Sequence, residues 1–294
     1  MRINPYPMPD LLTALSEVQQ QEQTAQMQIA TGRRVNSPSD DPAAAALLVQ
    51  NHDLSSQADS YQRSMSSVNG EMQTADSTIG SMVTVLQRAI TLGVQGANGT
   101  LSDSNRAAVV VELQGIQAQL ISMANVSYQG TYIFGGTAQT KPYTADSSQP
   151  SGVRYDGNSG TNQISIGQNY QLQVNLPGTQ IFSAPAADMF KAVNDLITAI
   201  QNNTGADAAV ASVGKAYDYI TSQRVFYGNG MNQISAQQNF LSNEKVQLSN
   251  QETTIAGTDM AAAATTLANT ETARQAALAA IAKVSKTNLF DYLT

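Results

Sequence analysis

All nine prolines of this 294-residue chain fall in two windows, Pro5 to Pro42 and Pro142 to Pro185. Inside a helix a proline removes a backbone donor and clashes with the preceding turn. Two long proline-free stretches, 43–141 and 186–294, are therefore where long helices can run. Both carry the right period. From Leu47 a 4-3 alternation passes through Asn51, Leu54, Ala58, Tyr61, Met65, Val68, Met72, Ala75, Ile79, Met82, Leu86, Ala89 and Gly93. Only Asn51 and Gly93 in that series are neither apolar nor aromatic. A heptad kept this long predicts coiled-coil-like packing along a helix of roughly 70 Å. Gly93, Gly96, Asn98 and Gly99 are expected to end it. Ser102 or Asp103 can cap a second helix striped by Val109, Leu113, Ile116, Leu120 and Met123.

The second half mirrors the first. A shorter helix carries Met189, Val193, Leu196 and Ile200. Another 4-3 seam then uses Val213, Tyr217, Ile220, Tyr227, Met231, Ile234, Leu241, Leu248 and Ile255. It keeps register across Gly228-Asn229-Gly230, which reads as a weak spot in one continuous helix. Leu54, Met65, Met72, Ile79, Leu86, Leu241 and Leu248 are the expected core of the helical pairing. Between the halves, over 136–185, the period changes to two. Ile164 and Ile166, then Tyr170, Leu172, Val174 and Leu176, alternate with polar residues as half-buried strands do. Asp156-Gly157 and Gly167-Gln168-Asn169 supply turns, and Pro177-Gly178 ends the longest strand.

The expected fold is mainly α. The chain runs out along helices, turns through a small central β domain at 136–185, and returns, which brings both termini to one end. A helical rod takes 43–135 with 186–254, and a terminal-helix domain takes 1–42 with 255–294. The terminal stripes are narrow. Leu11, Leu15, Val18, Ala25 and Ile29 share a face with Glu22 intruding. Met260, Ala264, Leu267, Leu278 and Ile281 share another, interrupted by Glu271 and Arg274. Such helices gain most of their stability from packing, so they are read as segments that order on a partner. Pairing with each other within one chain is the alternative.

Composition narrows the function. The net charge is -7 and no basic run appears, against a phosphate-backbone binder. Cysteine is absent and His52 is the one histidine, so thiolate and two-histidine metal sites are excluded within a subunit. Met1 to Asp10 carries three prolines and no apolar run, unlike a cleaved signal. No stretch approaches the roughly 18 apolar residues of a membrane span. Charged residues make up 13 %, against about 25 % in typical domains. A surface this poor in charge can be buried against copies of itself at little desolvation cost; it also suits a merely polar soluble protein.

No constellation suggests catalysis or a cofactor. Asp40 and Asp41 are adjacent and cannot converge on one helix face, whereas Ser39 or Asp40 as a cap, with Asp41 at the positive helix end, accounts for the run. Gly93, Gly96 and Gly99 end a helix instead of opening one, against a phosphate cradle. Asn98-Gly99-Thr100 and Asn125-Val126-Ser127 match glycosylation acceptors by chance. Met65, Met72 and Met82 read as core filler, and Tyr132, Phe134 and Tyr143 as a plug between helices and strands.

The run Ile29-Ala30-Thr31-Gly32-Arg33-Arg34-Val35-Asn36-Ser37-Pro38-Ser39-Asp40-Asp41-Pro42 resembles the N-terminal signature of the bacterial flagellin family, with Gly32, Arg34, Asn36, Asp40 and Asp41 as its turn. Met260 to Thr294 is similar to that family's Ala- and Gln-rich terminal helix. The start Met1-Arg2-Ile3-Asn4, the segment Gly130 to Thr137 and the ending Asn288-Leu289-Phe290-Asp291-Tyr292-Leu293 resemble its hook-associated branch, and the tail lacks the Leu-Leu-Arg-like ending of filament members. The resemblance implies an extracellular structural subunit, exported without a cleaved signal, that builds a tube with copies of itself. It implies a hook-associated neighbour, flagellin and an export chaperone on the C-terminal segment as partners, with no nucleic acid or membrane. Leu11, Leu15, Val18, Ile29, Leu267, Leu278, Ile281, Leu289, Phe290 and Leu293 are then the expected assembly residues of the terminal helices. A short filament flagellin and a secreted coiled-coil tip or adhesin protein are the other readings.

Overall fold

The computed structural model describes the backbone of residues 7–290 and the side chains of residues 8–285. The protein is mainly α, with long helices from both halves of the chain and a small strand-containing segment between them. The helices are α1 (Pro7–Thr31), α2 (Pro42–Gly96), α3 (Asp103–Ala124), the single turn α4 (Gly178–Ile181), α5 (Met189–Gln201), α6 (Ala206–Ala256) and α7 (Met260–Phe290). The chain forms two compact units, one from the chain up to Gln57 and from Asn243 onward, the other Ala58–Ser242. The helices break at 32–41 and at 257–259, and the close-packed units divide deeper, within α2 and α6. The strand segment belongs to the second unit.

In that unit α2 and α6 run antiparallel. Arg224 forks onto both carboxylate oxygens of Asp76 at 2.8 and 2.9 Å, Gln238 donates to Ser66 Oγ and Gln62 to Ser242 Oγ. Numbers rise on one helix as they fall on the other. α6 is unbroken through Gly228-Asn229-Gly230, and Gly230 leaves the space that the Met72 methyl fills. Met65, Met72, Ile79 and Leu86 join Leu113 and Leu120 of α3, Leu196 and Ile200 of α5, and Val213, Tyr227 and Leu241 of α6 in one core. Gly93, expected to stop α2, lies inside it. A Cβ there would stand 2.7 Å from Val210 Cγ2, so its role is close helix approach and not termination.

The central segment forms four antiparallel hairpins. They pair β1 (Ser127–Tyr128) with β2 (Thr131–Tyr132), β3 (Tyr143–Ala145) with β4 (Val153–Tyr155), β5 (Gln163–Gly167) with β6 (Tyr170–Gln173), and β7 (Ser183–Ala184) with β8 (Ala187–Asp188). Only β5 and β6 showed an alternating pattern in the sequence; the other strands are two or three residues long, too short for a period. Phe134, Tyr143, Phe182 and Phe190 stack with ring centroids 4.9–6.4 Å apart and seat the hairpins on α5. Burial pushes the Tyr143 phenol well above its usual range. Tyr132 is only half-buried and stands beside this plug instead of in it.

α3 corrects one expectation. By length and composition it is apolar enough to cross a membrane. Its apolar side chains Val109, Val110, Leu113, Ile116 and Leu120 are instead buried in the protein's own core.

Candidate assembly surfaces

The first unit is built on α1 against α7. Among the described residues of α1, the buried and half-buried ones are Met8, Leu11, Leu15, Val18, Glu22, Ala25, Gln28 and Ile29, a set that holds the expected stripe and adds Met8 and Gln28. On α7 the buried and half-buried residues, among those described, are Ala263, Leu267, Thr270, Arg274, Ala277, Ala280, Ile281, Val284 and Ser285. Met260, Ala264 and Leu278, assigned to that stripe, lie on the exposed side. The fully covered positions of the pair are Ala25, Ala263 and Thr270, all small side chains, while the large apolar residues on the face are only half-buried. The helices thus pair within one chain, the alternative weighed above. Glu22 and Arg274, the intruders in the two stripes, meet each other across the pair at 2.8 Å. Leu289 and Phe290 fall outside the residues whose side chains are described, and Leu293 outside the described residues altogether.

The turn that joins α1 to α2 is closed by its own side chains. Gly32 takes φ +69 at the end of α1, and its N–H bonds Gln28 O at 2.9 Å. The chain then pairs with the end of α6: Arg34 N–H donates to Ala256 O at 2.6 Å, Thr258 N–H donates to Gly32 O, and Arg34 Nη2 donates to Ile255 O at 3.1 Å. Arg33 forms an ion pair with Glu252. Asn36 Nδ2 donates to Arg33 O, and Asp40 accepts from the N–H groups of Asn36 and Ser37 at 2.9 and 2.8 Å. Those bonds hold the Asp40 carboxyl below the usual carboxylate range. Asp41 caps α2, accepting from Ala44 N–H at 3.0 Å and from Arg34 Nη1 at 3.0 Å, and its pKa is lowered chiefly by the Ala44 bond. The cap is therefore Asp41 and not Ser39 or Asp40. Pro42 has no N–H and sits at the first helical position, which leaves the residue before it to cap.

The heptad on α2 resolves into two lines with different fates. Asn51, Ala58, Met65, Met72, Ile79, Leu86 and Gly93 are all buried. Asn51 donates to Leu248 O at 2.7 Å, so the polar break in the seam is spent on α6. On the other line Ala75, Met82 and Ala89 are buried, Tyr61 and Val68 half-buried, but Leu54 is 41 % and Leu47 52 % exposed. Leu54 is thus not a core residue. On this second line burial starts at Tyr61 and is complete from Ala75, within the unit that also holds α3, α5 and the hairpins. Met65, Met72, Ile79, Leu86, Leu241 and Leu248 are buried.

The helical regions match known proteins at both ends. Residues 7–139 match the bacterial flagellin N-terminal helical region and residues 210–293 the bacterial flagellin C-terminal helical region. The chain belongs to the bacterial flagellin family. Flagellar hook-associated protein 3 of Salmonella typhimurium is 32 % identical over 158 residues, 53 % of this chain and 49 % of that protein. The chain spans about half the length of the curated hook-associated relatives it matches. Flagellin of Listeria innocua is 25 % identical over 90 % of this chain and 88 % of its own. The crystal structure of the flagellar junction protein FlgL of Legionella pneumophila shares the fold at a TM-score of 0.60 with 15 % identity, covering 72 % of this chain and 100 % of that one. FlgL of Bacillus cereus does so at 0.58 with 22 % identity, covering 70 % and 99 %. Among the turn residues of this flagellin-family chain, the sequence identified Gly32, Arg34, Asn36, Asp40 and Asp41; it missed Glu252, Ile255 and Ala256, which reach the turn from the far end of the chain.

Proposed function

We propose that this chain is a structural subunit of the bacterial flagellum at the hook–filament junction, and not an enzyme. The likeness to hook-associated protein 3 over 158 residues carries this reading. The uncovered line at Leu47 and Leu54 supplies a place for self-association, since a neighbouring copy can complete the heptad there. Like subunits would add head to tail with a rotation that does not close, which makes a tube. In that tube 1–42 with 255–294 would line the channel, 43–135 with 186–254 would surround it, and 136–185 would face outward. A hook-associated protein and flagellin would be its neighbours. The chain would be exported without a cleaved signal, a chaperone holding the C-terminal segment that carries Leu289, Phe290 and Leu293. The near full-length match to Listeria innocua flagellin favours a second reading, a short filament flagellin. Purified protein added to isolated hook ends separates the two in negative-stain images. A short cap on hook ends that then supports flagellin growth is expected; long filaments grown from the protein alone would overturn the junction reading.

A further inference from the structure

We propose that Asn98 is a self-modification site, at which the folded chain converts an asparagine to aspartate or isoaspartate without an enzyme. The sequence holds three Asn-Gly pairs: Asn69-Gly70, Asn98-Gly99 and Asn229-Gly230. Glycine after asparagine leaves the following amide nitrogen unshielded, so all three are chemically competent. The fold separates them. Asn69 lies inside α2 and Asn229 inside α6. There each following amide is committed to the carbonyl four residues back. Gly70 is further closed by the Tyr128 ring and Gly230 by the Met72 side chain.

Asn98 lies between α2 and α3, in a turn closed by Leu101 N–H on Asn98 O at 3.1 Å. Among the described residues the Gly99 N–H makes no hydrogen bond, and a Cβ on Gly99 would meet nothing within 4 Å. The nitrogen is thus free and open to solvent. The Asn98 side chain curls forward over it: Oδ1 accepts from Thr100 N–H at 3.1 Å and from Thr100 Oγ1 at 2.8 Å. Two donors on Oδ1 stabilise the negative charge that gathers there when a nucleophile adds to Cγ.

The step balances with water alone. Solvent base removes the Gly99 amide proton and the nitrogen attacks Asn98 Cγ. The C–N bond of the side-chain amide breaks and ammonia leaves with a proton, closing a succinimide. Water then opens either carbonyl of the ring, giving aspartate or isoaspartate, so asparagine plus water becomes acid plus ammonia. The product places a new carboxylate in the turn whose Leu101 carbonyl holds the buried Arg106 guanidinium at 3.2 Å. Among the described residues the Arg106 guanidinium donates to two neutral oxygens, those of Leu101 and Asn203.

The test is ageing of the whole folded chain at mildly alkaline pH, followed by tryptic peptide mass spectrometry. Peptides 64–88, 89–106 and 225–245 report Asn69, Asn98 and Asn229 in one sample. Conversion at Asn98 is expected to be about tenfold or more faster than at the two helical sites, and the three rates to converge in denaturant. Gly99→Ala, which fits the open space, should slow it about tenfold or more with an unchanged melting temperature. Thr100→Val should slow it as well by removing the hydroxyl donor. Equal rates at all three sites in the folded chain, or an Asn98 that converts only after unfolding, overturns the proposal.

Discussion

Arg274 of α7 reaches Glu22 of α1 with Nε 2.8 Å from Oε2, the Glu22 side chain being only 14 % exposed. The N–H is not aligned on the acceptor, so the contact acts as charge pairing more than as a hydrogen bond. Each residue alone interrupts an apolar stripe; together they fix the register of the two helices. Removing one partner strands a charge largely withdrawn from water, which costs more than the pair contributes.

Glu22→Ala should therefore loosen α1 and α7 by about 1–2 kcal/mol, the partial exposure of Arg274 keeping the figure below that of a fully buried pair. The exchanged pair, Glu22→Arg with Arg274→Glu, should recover most of it. A double-mutant cycle on the melting of the terminal helices gives the coupling, and a cycle with no coupling means the contact is incidental.

The two lines of the α2 heptad predict opposite outcomes. Leu86 is fully buried, and Leu86→Ala should cost about 2–5 kcal/mol in thermal unfolding of the helical signal. Leu54→Ala should cost under about 1 kcal/mol, because much of its surface is already in water. Leu54→Glu should leave the monomer's melt nearly unchanged and stop its addition to hook ends. A Leu54→Glu protein that still assembles would remove this face from the interface.

The signature turn should open in acid. Asp40 and Asp41 are held below the usual carboxylate range by backbone N–H groups first and, for Asp41, by Arg34 next. A lowered folded pKa contributes stability above the unfolded value, near 3.9, and that contribution fades as pH falls through the lowered one. Hydrogen exchange at the amides of Asn36, Ser37 and Ala44 should quicken below about pH 4 before the helical signal of the whole chain changes. Asp40→Asn should blunt that acid response. Exchange that stays flat to the global acid transition would separate the turn's closure from these carboxylates.

Terminal helices should be the first to yield to protease. The large apolar residues of their contact face, Leu11, Leu15, Val18, Ile29, Leu267 and Ile281, are only half-buried, so little apolar burial opposes local opening. Limited proteolysis of dilute protein should trim α1 and α7 back toward the signature turn and stop at Ala58–Ser242. Equal resistance in both units contradicts this order.

Proline placement and a long 4-3 pattern determined the helices from sequence alone, because both act locally: a proline is excluded from a helix interior though tolerated in its first turn, and a heptad repeats whatever lies opposite. Gly32 was legible for the same reason, as a helix end needs a positive φ in any context; the cap of α2 reads in the sequence as Ser39 or Asp40, and only the bond from Ala44 N–H assigns it to Asp41. What the sequence could not settle is anything set by a partner distant along the chain. Leu54 and Leu86 are equivalent in the repeat, and only the arrival of α3, α5 and the hairpins beside one of them separates core from surface. Glu22 and Arg274 read as two defects until α1 and α7 are laid together. The short hairpins have no period of their own, and the aromatic plug at Tyr143, Phe182 and Phe190 gives them a place. Asn69, Asn98 and Asn229 share one dipeptide, and their reactivity is decided by whether the following amide is spent in a helix.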